Sequence, residues 1–208
     1  PATIKQDIDW PQFMSQQDMI WEKLPEYWYD SAFLGNGKLG LMIYKEPGKN
    51  YLRLETGNCD VHDHRTKRDV FGIPRLLTGH FALHPKGKII NGTMHLDLWN
   101  AEASTDITTT KGVIHLRSFV HADEMMIIVK ATTEGDEHDF QWEWIAAEAN
   151  SPRYLIFKRQ GKTNKIPKDY ELNPTAKISN GKEINLSVQK LLAGGERSEE
   201  HTSELQSH

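Results

Sequence analysis

Phe33-Leu-Gly-Asn-Gly-Lys-Leu-Gly-Leu-Met-Ile-Tyr44 runs a tight Gly-Asn-Gly turn straight into an alternating apolar strand. Gly35 and Gly37 permit positive φ, and Asn36 tolerates it better than most residues. Outward from this point, period-2 alternation recurs along the chain. Leu39–Tyr44 reads as a strand and Leu52–Glu55 as its partner, with Pro47-Gly48 as turn chemistry between them. Leu76–Leu83, Met94–Trp99, Ala103–Thr109, Phe140–Ile145 and Ile184–Leu191 read as further strands. Gly112–Val120 is expected to pair with Met125–Ala131 through His121-Ala-Asp-Glu124. Strands at this spacing, with turn signals between them, specify an all-β fold, an antiparallel β-sandwich over residues 1–196. Ser15-Gln-Gln-Asp18 before Met19-Ile-Trp21 has the form of a helix-capping box. Pro25 and the aromatic run after it leave little room for a helix, so this segment is read as extended. Ser151–Asn180, polar and rich in Lys, Asn and Pro, reads as a loop or hairpin excursion.

Composition bounds the function. Hydrophobic residues make up 38% of the 208, and 15 glycines bring the apolar share into the ordinary globular range, enough for a core. A formal net charge of −4 argues against nucleic-acid binding, which needs a basic patch to neutralise phosphates. No apolar run approaches the length of a membrane span. The single cysteine, Cys59, rules out an intrachain disulfide and fits either a cytoplasmic protein or an exported one without disulfides. Asn91-Gly-Thr93 and Asn185-Leu-Ser187 match the glycosylation sequon, which carries no meaning in a bacterial protein. Trp10, Trp21 and Trp28 are expected to staple the N-terminal segment to the sandwich, since aromatic rings dominate core burial.

Residues 197–208, Arg-Ser-Glu-Glu-His-Thr-Ser-Glu-Leu-Gln-Ser-His, look like the conceptual translation of a short-read sequencing adapter and are set aside. Removing their one Arg and three Glu moves the net charge from −4 to about −2. On this reading both natural ends are missing. Ile184–Leu191 is then expected to have lost a pairing partner, leaving an apolar edge prone to aggregation.

The densest polar cluster is Asn58-Cys-Asp-Val-His-Asp-His-Arg65. Its Asn58, Asp60, His62, Asp63 and Arg65 are the candidate substrate-binding residues. Amide, carboxylate, imidazole and guanidinium groups suit paired hydrogen bonds to vicinal sugar hydroxyls. Other readings stay open. His62, Asp63 and His64, with Asp60 nearby, form a possible metal cluster, although no third and fourth zinc ligand has a recognisable spacing. Cys59 is a nucleophile only with a base and an oxyanion hole, and nothing in the sequence identifies either. Asp60 or Asp63 also suffices to anchor Arg65 or Arg68 in a plain salt-bridged loop. His80, His84, His95, His115 and His121 are read as structural or exposed.

Trp21, Pro25 and Trp28 ahead of the Gly-Asn-Gly turn, together with the run from Gly79 to Ala122 through Met94-His-Leu-Asp-Leu-Trp99, resemble the N-terminal sandwich of glycoside hydrolase family 95 and related six-hairpin glycosidases. The chain departs from that family where Leu54-Glu55-Thr56 replaces an Asn-Glu-containing stretch. The resemblance implies a non-catalytic domain of an inverting, α-L-fucosidase-like exo-glycosidase of bacterial origin, working in the periplasm or outside the cell without metal or cofactor. It would pack on a separate α/α-barrel and lend a loop to the sugar site. The family's two catalytic groups project from that barrel, so no catalytic residue is carried over to this chain. The implied partners are a carbohydrate substrate and the chain's own catalytic domain, with no nucleic acid and no membrane. A stand-alone carbohydrate-binding or structural sandwich, and the corresponding domain of a carbohydrate phosphorylase, are the alternatives.

Overall fold

Alternation along the strands becomes two faces. On β3 (Leu39–Lys45), Leu39, Leu41 and Ile43 are buried while Gly40 and Met42 are half-buried. On β4 (Leu52–Asn58), Leu52, Leu54 and Thr56 are buried while Arg53 and Glu55 stay partly accessible. The computed structural model describes residues 7–65, 71–72, 74–181, 184–192, 194 and 196–202. Strand takes up 46% of the structure and helix 11%, which makes the protein all-β.

The remaining strands are β1 (Met19–Trp21), β2 (Ala32–Gly35), β5 (Gly79–His84), β6 (Ile89–Asp97), β7 (Glu102–Thr109), β8 (Gly112–Val120), β9 (Ile127–Gly135), β10 (Gln141–Ala146), β11 (Lys177–Asn180), β12 (Ile184–Lys190) and β13 (Glu196–Thr202). Two helices join them, α1 (Trp10–Ser15) and α2 (Pro152–Arg159). One antiparallel sheet has the order β1-β6-β7-β8-β9 and a second β10-β5-β4-β3-β2, the two packed face to face as a sandwich. The expected hairpin forms, with Gly112 opposite Gly135 and Val120 opposite Ile127.

The chain divides into two compact units. Residues 1–56 with 81–144 form the first, and residues 57–80 with 145–208 the second. The first has an apolar core of Leu34, Leu41, Ile43, Leu52, Leu54, Leu83, Met94, Ile107, Ile114, Leu116 and their neighbours. Burying each such side chain contributes roughly 1.5–3 kcal/mol.

The core of the second unit is different in kind. Among its described residues, Leu76 and Ala149 are the buried apolar side chains. Asp63, Asn150, Ser151, Asn173, Ser187 and Gln189 are buried beside them. The second unit also holds a three-stranded antiparallel sheet, β11-β12-β13.

Three expectations are corrected. Ser151–Asn180 is not simply a loop: α2 forms because the Ser151 side chain caps it by accepting from Arg153 N, Pro152 starts it, and Lys158 and Arg159 oppose the dipole in its last turn. The segment Met19–Trp21 is extended as expected, as β1, and the helix α1, capped by Asp9, ends before it. β12 has a partner on each side, because a main-chain ladder needs only an extended backbone and β13 supplies one.

The third concerns the tryptophans. Trp21 packs on the core and donates its ring N–H to Asp30 O at 2.8 Å, but Trp10 and Trp28 are 45% and 61% exposed. Leu24 is the real staple. It is buried in the sandwich core over Gly92, where an added Cβ would stand only 2.7 Å from its Cγ.

Candidate functional site

The opening turn is held by one side chain. Gly37 has a φ of 90°, so a residue without Cβ is needed there. Asn36 Oδ1 accepts from Lys38 N at 3.0 Å and Leu39 N at 2.8 Å, closing the turn on itself. Asn36 Nδ2 donates to His121 O at 2.9 Å and Glu124 O at 3.1 Å. His121 Nδ1 in turn accepts from Asp123 N and Glu124 N, shaping the turn that receives the amide. One carboxamide thus fastens the β2–β3 turn of one sheet to the β8–β9 turn of the other.

The polar cluster after β4 is an irregular hairpin. Leu76 N donates to Val61 O at 3.0 Å, Asp63 N to Pro74 O at 3.0 Å, and Arg65 N to Gly72 O at 2.9 Å, with His62 bridging Arg75. Arg68 lies outside the described residues. In extended backbone, successive side chains point to opposite sides, and this divides the cluster into two sets. His62 and His64 share one side, their ring centroids 6.0 Å apart. Asp63 and Arg65 share the other and turn inward. Asp63 is fully buried, and Arg65 Nε donates to its Oδ2 at 2.8 Å.

Asn173 completes the inward set. Its Nδ2 donates to Asp63 Oδ2 at 3.1 Å and to Ala149 O, its N donates to Asn150 Oδ1 at 3.1 Å, and its Oδ1 accepts from Leu192 N at 2.9 Å. The Arg65 guanidinium lies 4.6 Å from the centre of the Tyr170 ring, which also stacks on Tyr154 at 5.0 Å. Arg65 Nη1 also donates to Glu171 O. Burial pushes the Tyr170 hydroxyl above its ordinary range, so it stays protonated while accepting from Ser151 N.

The five candidate residues therefore separate. Asp63 and Arg65 tie loop to loop inside the second unit, which is the anchoring role a salt-bridged loop requires. Asn58 Oδ1 accepts from Asp60 N at 2.8 Å and shapes the turn after β4. Asp60 is exposed and His62 half-exposed, so these two, with exposed His64, are the accessible side chains of the cluster. The Cys59 thiol has one polar contact among the described residues, Asp60 Oδ1 at 3.5 Å. Among the described residues no three His, Cys, Asp or Glu side chains are placed to hold a metal ion.

Sequence reading passed over two other groups, both in the first unit. On one side of β3 and β4, the Tyr44 hydroxyl donates to Glu55 Oε2 at 2.6 Å and Arg53 Nη1 donates to Glu46 Oε2 at 2.9 Å. Arg53 Nε lies 3.2 Å from Glu55 Oε2, close enough for charge attraction though out of hydrogen-bond alignment. Burial first, then the bond to Glu55, pushes the Tyr44 hydroxyl far above its ordinary range, so it acts as a fixed donor. The period-2 spacing of Arg53 and Glu55 was the available signal.

The second group is apolar and exposed: Tyr27 at 49%, Trp28 at 61%, Tyr29 at 62% and Phe33 at 63%. Tyr27 and Tyr29 stack at 5.2 Å, and Trp28 meets Tyr29 edge-on at 5.7 Å. Phe33 leans over Gly40, which has no side chain to displace it. Clustered aromatic residues before the turn were visible in the sequence, but whether they faced in or out was not.

No protein-family model matches the chain, and no curated protein matches its sequence.

Proposed function

We propose that the chain is the N-terminal, non-catalytic β-sandwich of an inverting, α-L-fucosidase-like exo-glycosidase. The observation that carries this reading is the exposed cluster Tyr27, Trp28 and Tyr29, with exposed Phe33 on β2. Contiguous exposed rings of this kind mark a surface that another partner covers. In this reading the partner is an α/α-barrel that follows the sandwich and carries both catalytic carboxyl groups. Inversion needs one acid to protonate the leaving oxygen and a second group to activate water on the opposite face. The sandwich supplies neither. Asp60, His62 and His64 sit at the accessible side of the hairpin after β4, and their role is to border the sugar site. A bacterial enzyme of this type works in the periplasm or outside the cell.

The same exposed rings also favour a second reading, a sandwich that binds carbohydrate by itself, because aromatic faces suit the apolar C–H faces of a sugar. One experiment separates the two. The longer product of the source gene is incubated with an aryl α-L-fucoside, and the first-formed anomer is followed by NMR. Release of the β-anomer supports the glycosidase reading. Absence of hydrolysis, together with fucose binding by the present chain that Trp28→Ala abolishes, supports the second and contradicts the first.

A further inference from the structure

We propose that α2 and the turn after it form a binding site for acidic polysaccharide, a glycan bearing carboxylate groups along its length. The proposal rests on the carbohydrate reading only for the class of ligand; the site itself stands on charge and shape. Between Ser151 and Lys168 the sequence holds Arg153, Lys158, Arg159, Lys162, Lys165 and Lys168 and no acidic residue, in a chain whose net charge is −4. All six side chains are exposed. α2 spans Pro152–Arg159 and a 3-10 turn at Thr163–Lys165 follows, so the six lie along one short stretch: Lys158 and Arg159 share a side of α2 with Leu155, while Arg153 and Lys165 approach the Phe157 ring.

The cations have a floor. An open depression in this unit is lined by Leu155, Lys158, Arg159 and Glu148. Leu155 offers apolar surface for a sugar ring. Arg159 presents a planar fork that matches a carboxylate, and Lys158 adds a point charge. Lys158 Nζ stands 3.8 Å from Glu148 Oε2, a half-exposed pair worth little in water and open to exchange for a ligand carboxylate.

Two other polyanions fit less well. A single-stranded nucleic acid needs free ring faces on which bases stack. Here the Tyr154 ring is stacked on Tyr170, and Phe157 lies within 5.7 Å of Arg153 and 5.9 Å of Lys165. A membrane surface needs an amphipathic helix with a continuous apolar face. The apolar residues of α2, Tyr154-Leu-Ile-Phe157, are consecutive and so spread around the helix instead of lining one side.

The test uses the full chain and polygalacturonate as probe, with neutral dextran and single-stranded DNA alongside. Because the whole chain is negatively charged, binding to a polyanion has to come from a local patch. The expected result is binding to polygalacturonate at low salt that weakens at least about tenfold at moderate salt. The pair Lys158→Glu/Arg159→Glu should weaken it at least about tenfold. Lys162→Glu/Lys168→Glu, at exposed positions off the helix, should weaken it severalfold without touching the fold. Lys49→Glu, in the β3–β4 turn, should leave it unchanged. No binding, equal binding by the Lys162/Lys168 pair and wild type, equal loss from Lys49→Glu, or tighter binding of DNA than of polygalacturonate would each overturn the proposal. None of these outcomes depends on hydrolytic activity, so failure here and failure of the glycosidase reading are distinguishable.

Discussion

Asn36 uses the whole hydrogen-bonding capacity of its carboxamide on four backbone groups: two amides of its own turn and two carbonyls of the β8–β9 turn. Asn36→Ala is expected to cost about 2–4 kcal/mol, at roughly 1 kcal/mol for each bond. Asn36→Asp is the sharper variant. It keeps the acceptor but turns a second oxygen toward two carbonyl oxygens, so it should be no more stable than the alanine variant by denaturant titration. An aspartate variant as stable as wild type would refute the clamp. The turn itself was legible in Gly35-Asn-Gly37. Its attachment was not, since His121 and Glu124 lie 85 and 88 positions further on and no local pattern encodes the register that brings them there. Histidine tests the electrostatics at the same scale. Donation of the His115 Nδ1 proton to Asp106 Oδ1 raises the His115 pKa, Glu134 adds to this, and partial burial opposes it. A raised folded-state pKa means stability that is fully present below the ordinary histidine value and lost as pH rises through the raised one. His115→Gln should therefore destabilise more at about pH 5 than at about pH 8. Equal losses at the two pH values would show that the pair carries no charge-dependent stability.

Elements formed where local chemistry and tertiary pattern agreed, and were misread where one local signal had two meanings. Gly112–Val120 was legible residue for residue, because alternation, flanking glycine and a short turn all point to a strand. α2 was not, because Ser151 and Pro152 are loop residues as readily as they are a cap and a first helical turn. The hairpin after β4 was legible as a polar loop. What the sequence hid was its division into an inward pair, Asp63 and Arg65, and an outward one, His62 and His64. The partner that draws Asp63 inward, Asn173, is 110 positions away. Asn173→Ala leaves Asp63, Ala149 O and Leu192 N without it in a buried setting and should cost about 2–4 kcal/mol. Hydrogen exchange checks where that loss falls. Amides of residues 57–65 and 145–192 should lose protection while those of β6 to β8 keep theirs. Uniform loss along the chain would mean that the two units do not unfold separately.

At the scale of the molecule, the two units are stabilised by different physics. The first buries an alternating apolar set, which is why its all-β character is readable from periodicity alone. The second buries Asp63, Asn150, Asn173 and Gln189 around hydrogen bonds, and polar residues of this kind look like surface in a sequence. The proposed surfaces were hidden for a related reason: exposure of Trp28 and Phe33, and the placing of Lys158 and Arg159 beside Leu155, depend on which way each element faces. The glycosidase account makes one claim more exposed to test than any other, that a catalytic barrel follows this sandwich. With residues 197–208 read as adapter sequence, reading the source DNA past Glu196 tests it directly. The account predicts an uninterrupted frame of several hundred residues, in helical hairpins, with paired acidic residues at its centre. A stop codon soon after Glu196 would contradict it and leave sugar binding by the sandwich as the question to pursue.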